Sequence, residues 1–201
     1  MIKIFYLHGI GSGANSNTAQ QLKEYFSGKD VKVFSPELPA MPKDAFCFIT
    51  EQIQREKPHI VIGTSLGGFY AQYLRGPFKI LVNPAMRYTD IIRAVGFGEK
   101  PFFSPRQNGE KTYTVDECFI GQLKEISEAN DPLLDSASRE GTYALFGTRD
   151  TVVSNYGLFK ERFYEAQAKQ IDAEHRLSNQ NIALDLIPLV EYLMRERLGG
   201  L

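Results

Sequence analysis

Apolar residues fall along the chain in two alternating patterns. Short continuous runs occur at Ile2–Leu7, Val31–Phe34, Ile60–Ile62, Ile80–Val82 and Tyr143–Phe146, with a weaker one at Ala168–Ile171. Unbroken runs suit strands buried on both faces, the environment of a parallel sheet. Between the runs, apolar positions recur at helical spacing. Ala19, Leu22 and Phe26 share one face, and Phe46, Ile49 and Ile53 share another. Phe119, Ile120, Leu123 and Ile126 make a third stripe, Tyr156, Phe159 and Phe163 a fourth, and Ile187, Val190 and Met194 a fifth. Asp44 and Ser154 stand where N-caps belong, and Thr114 with Glu117 has the spacing of a capping box. Pro188 places either a helix start near Asp185 or a kink. The alternation predicts an α/β fold with a mostly parallel central sheet of about six strands and helices on both faces.

One stretch breaks the rhythm. It lies between Val82 and Tyr143, and its Gly96–Gly109 part is rich in Gly, Pro and Phe without a period. Residues 1–201 are therefore expected to form one domain, with a partly helical excursion at about 88–130 that passes over the sheet's edge and covers a pocket. A surface insertion with no role is the other reading.

Charge narrows the function classes. With 23 Lys+Arg against 24 Asp+Glu the net charge is −1. Binding to nucleic acid through phosphate contacts needs a basic excess, and an anionic membrane surface would need the same. No apolar run approaches the roughly 18 residues that span a bilayer. The first strand begins too early to leave room for a signal peptide ahead of it. Cys47 and Cys118 form neither a disulfide framework nor a metal-ligand cluster, and Cys47 beside an apolar stripe reads as a small buried hydrophobe. The expectation is a soluble, cytoplasmic protein that handles a small molecule.

Ile60–Gly68 carries the chemistry. An apolar strand runs into Gly63-Thr64-Ser65-Leu66-Gly67 and then into a helix-compatible segment, the pattern of a nucleophile elbow. The chain must reverse so tightly that Cβ atoms two positions before and after the serine would collide, so Gly63 and Gly67 stand there. Ser65 is then held in a strained conformation with its hydroxyl above the sheet. A turn whose serine merely caps the helix would share the pattern without the chemistry.

A serine nucleophile needs a base, and the chain has three histidines. Only loops at the carboxyl ends of parallel strands reach the site. His59 opens the strand that leads to Ser65 and so lies at its far end. His8 precedes the elbow in sequence. His175 follows the last strand and fits the chain order Ser, acid, His. For the acid, Asp150 follows Tyr143–Phe146 at a carboxyl end, whereas Asp131 and Asp135 precede that strand and Asp172 is too near His175. Pairing of Asp150 with Arg149, or a capping role, is the competing reading. The loop Tyr6-Leu7-His8-Gly9-Ile10-Gly11-Ser12-Gly13 places the Ile10 N–H, with the Leu66 N–H, as oxyanion donors, and Ser12 as a side-chain helper. As a phosphate loop it lacks the Walker lysine and the G-x-G-x-x-G spacing, leaving Glu37 as the single acidic candidate for a dinucleotide ribose.

These residues resemble a family. Tyr6-Leu7-His8-Gly9 with Ser12, Pro36-Glu37-Leu38-Pro39 with Pro42, Gly63–Gly68 and Leu81-Val82-Asn83-Pro84-Ala85-Met86-Arg87 are similar to the small bacterial YqiA-type esterases of the α/β-hydrolase superfamily. Gly109–Tyr113 and the acid and histidine loops match more loosely. The resemblance implies a compact α/β-hydrolase fold lacking the first two strands of the larger fold, with a triad mapping onto Ser65, Asp150 and His175. The chain departs from the family at Arg149, where Gly is usual, and in the charged setting Ala173-Glu174-His175-Arg176. The expected activity is cleavage of an ester or thioester through an acyl-enzyme, with neither metal nor organic cofactor. A serine peptidase or amidase on the same triad, and a hydrolase-fold binding protein without catalysis, are the alternatives. Phe102, Phe103, Tyr88 and Tyr113 are candidate pocket walls.

Overall fold

A computed structural model describes residues 1–103, 106–164 and 166–199. The chain begins with β1 (Ile2–Leu7), α1 (Asn17–Tyr25), β2 (Val31–Phe34), α2 (Pro42–Glu56), β3 (Ile60–Thr64), α3 (Leu66–Ala71) and β4 (Phe78–Val82). The excursion follows as α4 (Tyr88–Val95), the antiparallel hairpin β5 (Gly98–Pro101) and β6 (Thr112–Val115), and α5 (Glu117–Asn130). It is succeeded by α6 (Ser136–Glu140), β7 (Thr142–Gly147), α7 (Tyr156–Arg162), β8 (Gln167–Ile171), the single turn α8 (Asn179–Asn181) and α9 (Ile187–Glu196).

Among the described residues, the six apolar runs pair into one sheet of order β2-β1-β3-β4-β7-β8, parallel throughout. The central strands are almost wholly apolar because each face has its own core, whereas polar residues enter at the edge strands β2 and β8. Ile4, Tyr6, Ile60, Ile62, Ile80, Val82 and Leu145 face Leu22 of α1 and Val190 and Leu193 of α9. Phe5, Leu7, Val61, Leu81 and Phe146 face Ile49 of α2, Phe69 of α3, Leu123 of α5 and Phe159 of α7. Strand order reverses between β1 and β3, so the crevice outside their carboxyl ends is the expected ligand position. The edge strand β8 shows Gln167, Lys169 and Gln170 to solvent.

Several helix starts differ from the sequence expectation. Helix α2 begins at Pro42, whose fixed φ suits the first turn, and Asp44 lies inside that turn rather than capping it. Thr114 belongs to β6, and Asp116 caps α5 by accepting the Phe119 N–H at 2.7 Å. Asn155, not Ser154, occupies the N-cap of α7. Pro188 sits in the first turn of α9, after a wide π turn over Ile182–Leu186. Cys47 is exposed. Two residues from buried Ile49, it lies about 200° round the helix, on the solvent side. No helix among the described residues is long and apolar enough to cross a membrane.

This core also takes in a lysine. Lys79 of β4 is 1% exposed, and its Nζ donates to the Leu74 carbonyl at 3.1 Å. Burial pushes its pKa from the ordinary 10.5 down to about 8. That shift corresponds to about 3 kcal/mol against folding wherever both the folded and the unfolded chain hold the proton. Below pH 8 the cost is fully present, and it fades as pH rises from 8 toward 10.5, because the folded chain is then already neutral and the proton it must give up is held ever more weakly in the unfolded chain. Lys79→Met should raise the unfolding free energy at pH 7 by about 2 kcal/mol, after about 1 kcal/mol for the unpaired Leu74 carbonyl. Urea unfolding at pH 7 and pH 9.5 checks this: the gap between variant and wild type should narrow at the higher pH.

Candidate active site

Four loops converge at the carboxyl edge of the sheet. They follow β1, β3, β7 and β8 and carry Gly9–Ile10, Ser65, Asp150 and His175 respectively. Ser65 joins β3 to α3 at φ 52° and ψ −115°, a conformation that L side chains seldom adopt. The turn is possible because of its glycines. A Cβ on Gly63 would stand 2.4 Å from the Gly67 carbonyl oxygen, the expected collision across the turn. A Cβ on Gly67 would stand 2.1 Å from the Leu7 carbonyl oxygen. The second glycine is thus required by the end of β1, a contact the turn's own geometry did not reveal.

The three polar side chains picked out by chain order form one hydrogen-bonded row. His175 Nε2 lies 3.1 Å from Ser65 Oγ, and His175 Nδ1 lies 2.8 Å from Asp150 Oδ2. Asp150 is 2% exposed at its side chain, and its other oxygen accepts the N–H groups of Val152 and Val153 at 2.7 and 3.0 Å. Arg149 pairs instead with Asp172, Nε to Oδ1 at 2.6 Å. Asp131 pairs with Arg162 and accepts from Tyr73, and Asp135 caps α6. His59 lies at the far end of β3, where Nδ1 accepts the Lys3 N–H.

The loop after β1 passes directly beside the serine. A Cβ on Gly9 would lie 3.2 Å from that of Ser65. Neither the Ile10 nor the Leu66 N–H donates among the loop and cap hydrogen bonds of the described residues. Buried His8 braces this loop: Nε2 accepts the Leu38 N–H at 3.1 Å and Nδ1 donates to the Gly9 carbonyl at 3.0 Å. Burial lowers its pKa, which keeps the acceptor nitrogen free of a proton. Glu37 faces Arg106 at 3.2 Å and closes on Gly13, so its carboxylate is engaged by the excursion.

A cavity of about 890 Å³ opens over Ser65 and His175. Ile10, Val82, Val95, Phe103, Val152 and Leu177 give it an apolar lining, and Asn15, Asn17, Arg149 and Arg176 stand among its polar residues. Val95 and Phe103 come from the excursion, and the Phe103 N–H donates to the Gly11 carbonyl at 2.8 Å. Arg176 lies over the Phe103 ring at 3.9 Å. Phe102 and Tyr113 instead border a small hollow of about 30 Å³ behind Ile10, and Tyr88 packs on the core. No group of three or more His, Cys, Asp or Glu among the described residues could hold a metal ion.

Sequence reasoning missed Gly147. A Cβ there would lie 2.3 Å from the Ala173 carbonyl oxygen, so this glycine lets the histidine loop cross the end of β7. A glycine ending an apolar run was the available signal, but nothing in the run names the segment that crosses it.

The model of the family described as Uncharacterised protein family (UPF0227), the YqiA-like family, matches residues 3–193. Among solved structures, the chain is similar to Est1E from Butyrivibrio proteoclasticus bound to ferulic acid, with TM-score 0.68 and 12% identity over 100% of this chain and 90% of that one. It is similar to mouse alpha/beta hydrolase domain-containing protein 10, with TM-score 0.67 and 13% identity over 96% and 90% of the two chains. An esterase domain from a Rhodothermus marinus protein matches with TM-score 0.65 and 14% identity over 98% and 88%. These likenesses establish the α/β-hydrolase fold.

The strain at Ser65 can be measured without any substrate. Strained backbone of this kind costs about 1–3 kcal/mol, and glycine escapes it at the expense of greater unfolded-state entropy. Ser65→Gly should therefore be more stable than Ser65→Ala by about 1 kcal/mol, since both lose the hydroxyl and alanine alone keeps the Cβ. Equal urea midpoints for the two variants would remove the claim of strain.

Proposed function

We propose, for a chain that belongs to the UPF0227 family and has the α/β-hydrolase fold, a serine hydrolase that cleaves a carboxylic ester or thioester through an acyl-enzyme. One observation carries this reading: the continuous row Asp150–His175–Ser65, with contacts of 2.8 and 3.1 Å. In such a row His175 Nε2 takes the Ser65 proton as Oγ attacks the acyl carbonyl. Nδ1–H stays bonded to Asp150, which keeps the reactive tautomer and stabilises the imidazolium. Ile10 and Leu66 N–H groups receive the oxyanion. The imidazolium then protonates the leaving oxygen or sulfur, and the carbonyl re-forms as the acyl-enzyme. Water, activated by the same imidazole, releases the acid and restores the serine.

The apolar lining of the 890 Å³ cavity supports an acyl group as the part recognised. The excursion would then act as its outer wall, since Val95 and Phe103 border the same space. Asp150, held by two backbone N–H groups, is fixed in place to orient the ring.

Fluorophosphonate labelling read by intact mass tests the proposal. Wild type should take one adduct, Ser65→Ala none, and His175→Ala should label far more slowly. Hydrolysis of a short-chain nitrophenyl ester should fall on the order of 10⁴-fold or more in each triad variant, Asp150→Asn included. Folded wild type that neither labels nor turns over esters and thioesters of several chain lengths would sink the reading.

A further inference from the structure

Asn83 follows β4, between the nucleophile strand and the strand of the acid, and it belongs to none of the chemistry above. Its backbone is in the left-handed region, at φ 41°, and the residue is 2% exposed. All three side-chain hydrogen bonds go to main-chain atoms, one at the end of β7 where the Asp150 loop begins and two in the loop that bears His175. Oδ1 accepts the Gly147 N–H at 2.7 Å, and Nδ2 donates to the Glu174 and His175 carbonyls at 3.0 Å each.

The histidine loop has few other restraints at this point. Main-chain bonds join it to the end of β7 through Thr148 N–H to Ile171 and Arg149 N–H to Ala173. Beyond Ala173, no backbone hydrogen bond outside regular elements holds Glu174 or His175 among the described residues. The Asn83 amide takes over there, with two donor hydrogens for two carbonyls and one oxygen for one N–H. No other side chain of this size fits that pattern: a carboxylate could take the Gly147 N–H but would set an oxygen against two carbonyl oxygens.

We infer that Asn83 is a positioning residue that holds the imidazole of His175 in register with Ser65 by strapping the acid and histidine loops together. It rests on the triad reading given above and touches none of the reacting atoms. Misplacement of a catalytic group by about 1 Å costs on the order of 10²-fold in rate. The strap acts on the chemical step and not on substrate binding, so kcat should carry the loss.

The test uses the full chain with Asn83→Asp and Asn83→Ala, with a short-chain nitrophenyl ester and a fluorophosphonate as probes. Asn83→Asp should fold, lose about 10²-fold in kcat and labelling rate, and keep KM within about twofold. The downfield proton signal of His175 Nδ1–H in the wild-type spectrum should broaden or vanish in both variants. A folded Asn83→Asp with wild-type kcat, labelling rate and His175 signal overturns the proposal. Should both variants fail to fold, amide exchange in wild type decides. The Gly147 N–H should then exchange as slowly as β7 interior amides, and exchange at an open-loop rate overturns the strap. Wild type that labels and turns over while Asn83 proves indifferent refutes only this inference. An inert wild type that keeps the slow Gly147 exchange instead refutes the triad reading and leaves the strap as a purely structural link.

Discussion

A methyl group on Gly67 would sit 2.1 Å from the Leu7 carbonyl oxygen and 2.8 Å from that of His8. That proximity presses the start of α3 onto the end of β1, and the rest of the site is arranged around it. Because α3 cannot stand further off, the turn at Ser65 must be sharp and its backbone strained. The Ser65 hydroxyl is thereby raised beside Gly9, and the loop after β1 is brought alongside it. The topology makes the meeting possible, since β1 and β3 are neighbours at the point where strand order reverses.

The opposite side of the site is built by side chains and not by one backbone contact. Asp150 is fixed by two N–H groups of its own loop, and Gly147 yields space for the histidine loop. His8, Glu37 and Arg106 tie the loop after β1 to the segment after β2 and to the excursion. The excursion in turn reaches the cavity through Phe103. The cavity therefore combines a rigid floor with walls supplied by elements distant in sequence.

Much of this was legible in the chain, for a physical reason. A strand packed on both faces is apolar at nearly every position, so Ile2–Leu7 or Tyr143–Phe146 can be read without knowing the partners. Chain order and strand ends were enough to select Ser65, Asp150 and His175, which lie within hydrogen-bond distance as a row. The caps were less legible because several polar residues compete at each start; Asp116 prevailed over Thr114 once Thr114 was committed to β6. The β5–β6 hairpin was missed because Gly98–Pro101 has no apolar face to announce a strand. Gly147 and Asn83 were illegible as site residues, since their roles depend on a loop some distance along the chain crossing beside them.

The histidine rides on β8, the polar edge strand that pairs with β7 alone and comes last among the strands in the order of synthesis. Ser65 and the loop beside it are in place once the chain has passed α3, but His175 joins them only when this final strand docks. A nascent or partly opened chain would thus present Ser65 without its histidine partner, and, on the proposed reading, the core of the sheet need not melt for the site to fall silent. Fraying at one margin of the sheet is enough, so loss of the His175 contact would register partial unfolding earlier than any probe of the central strands.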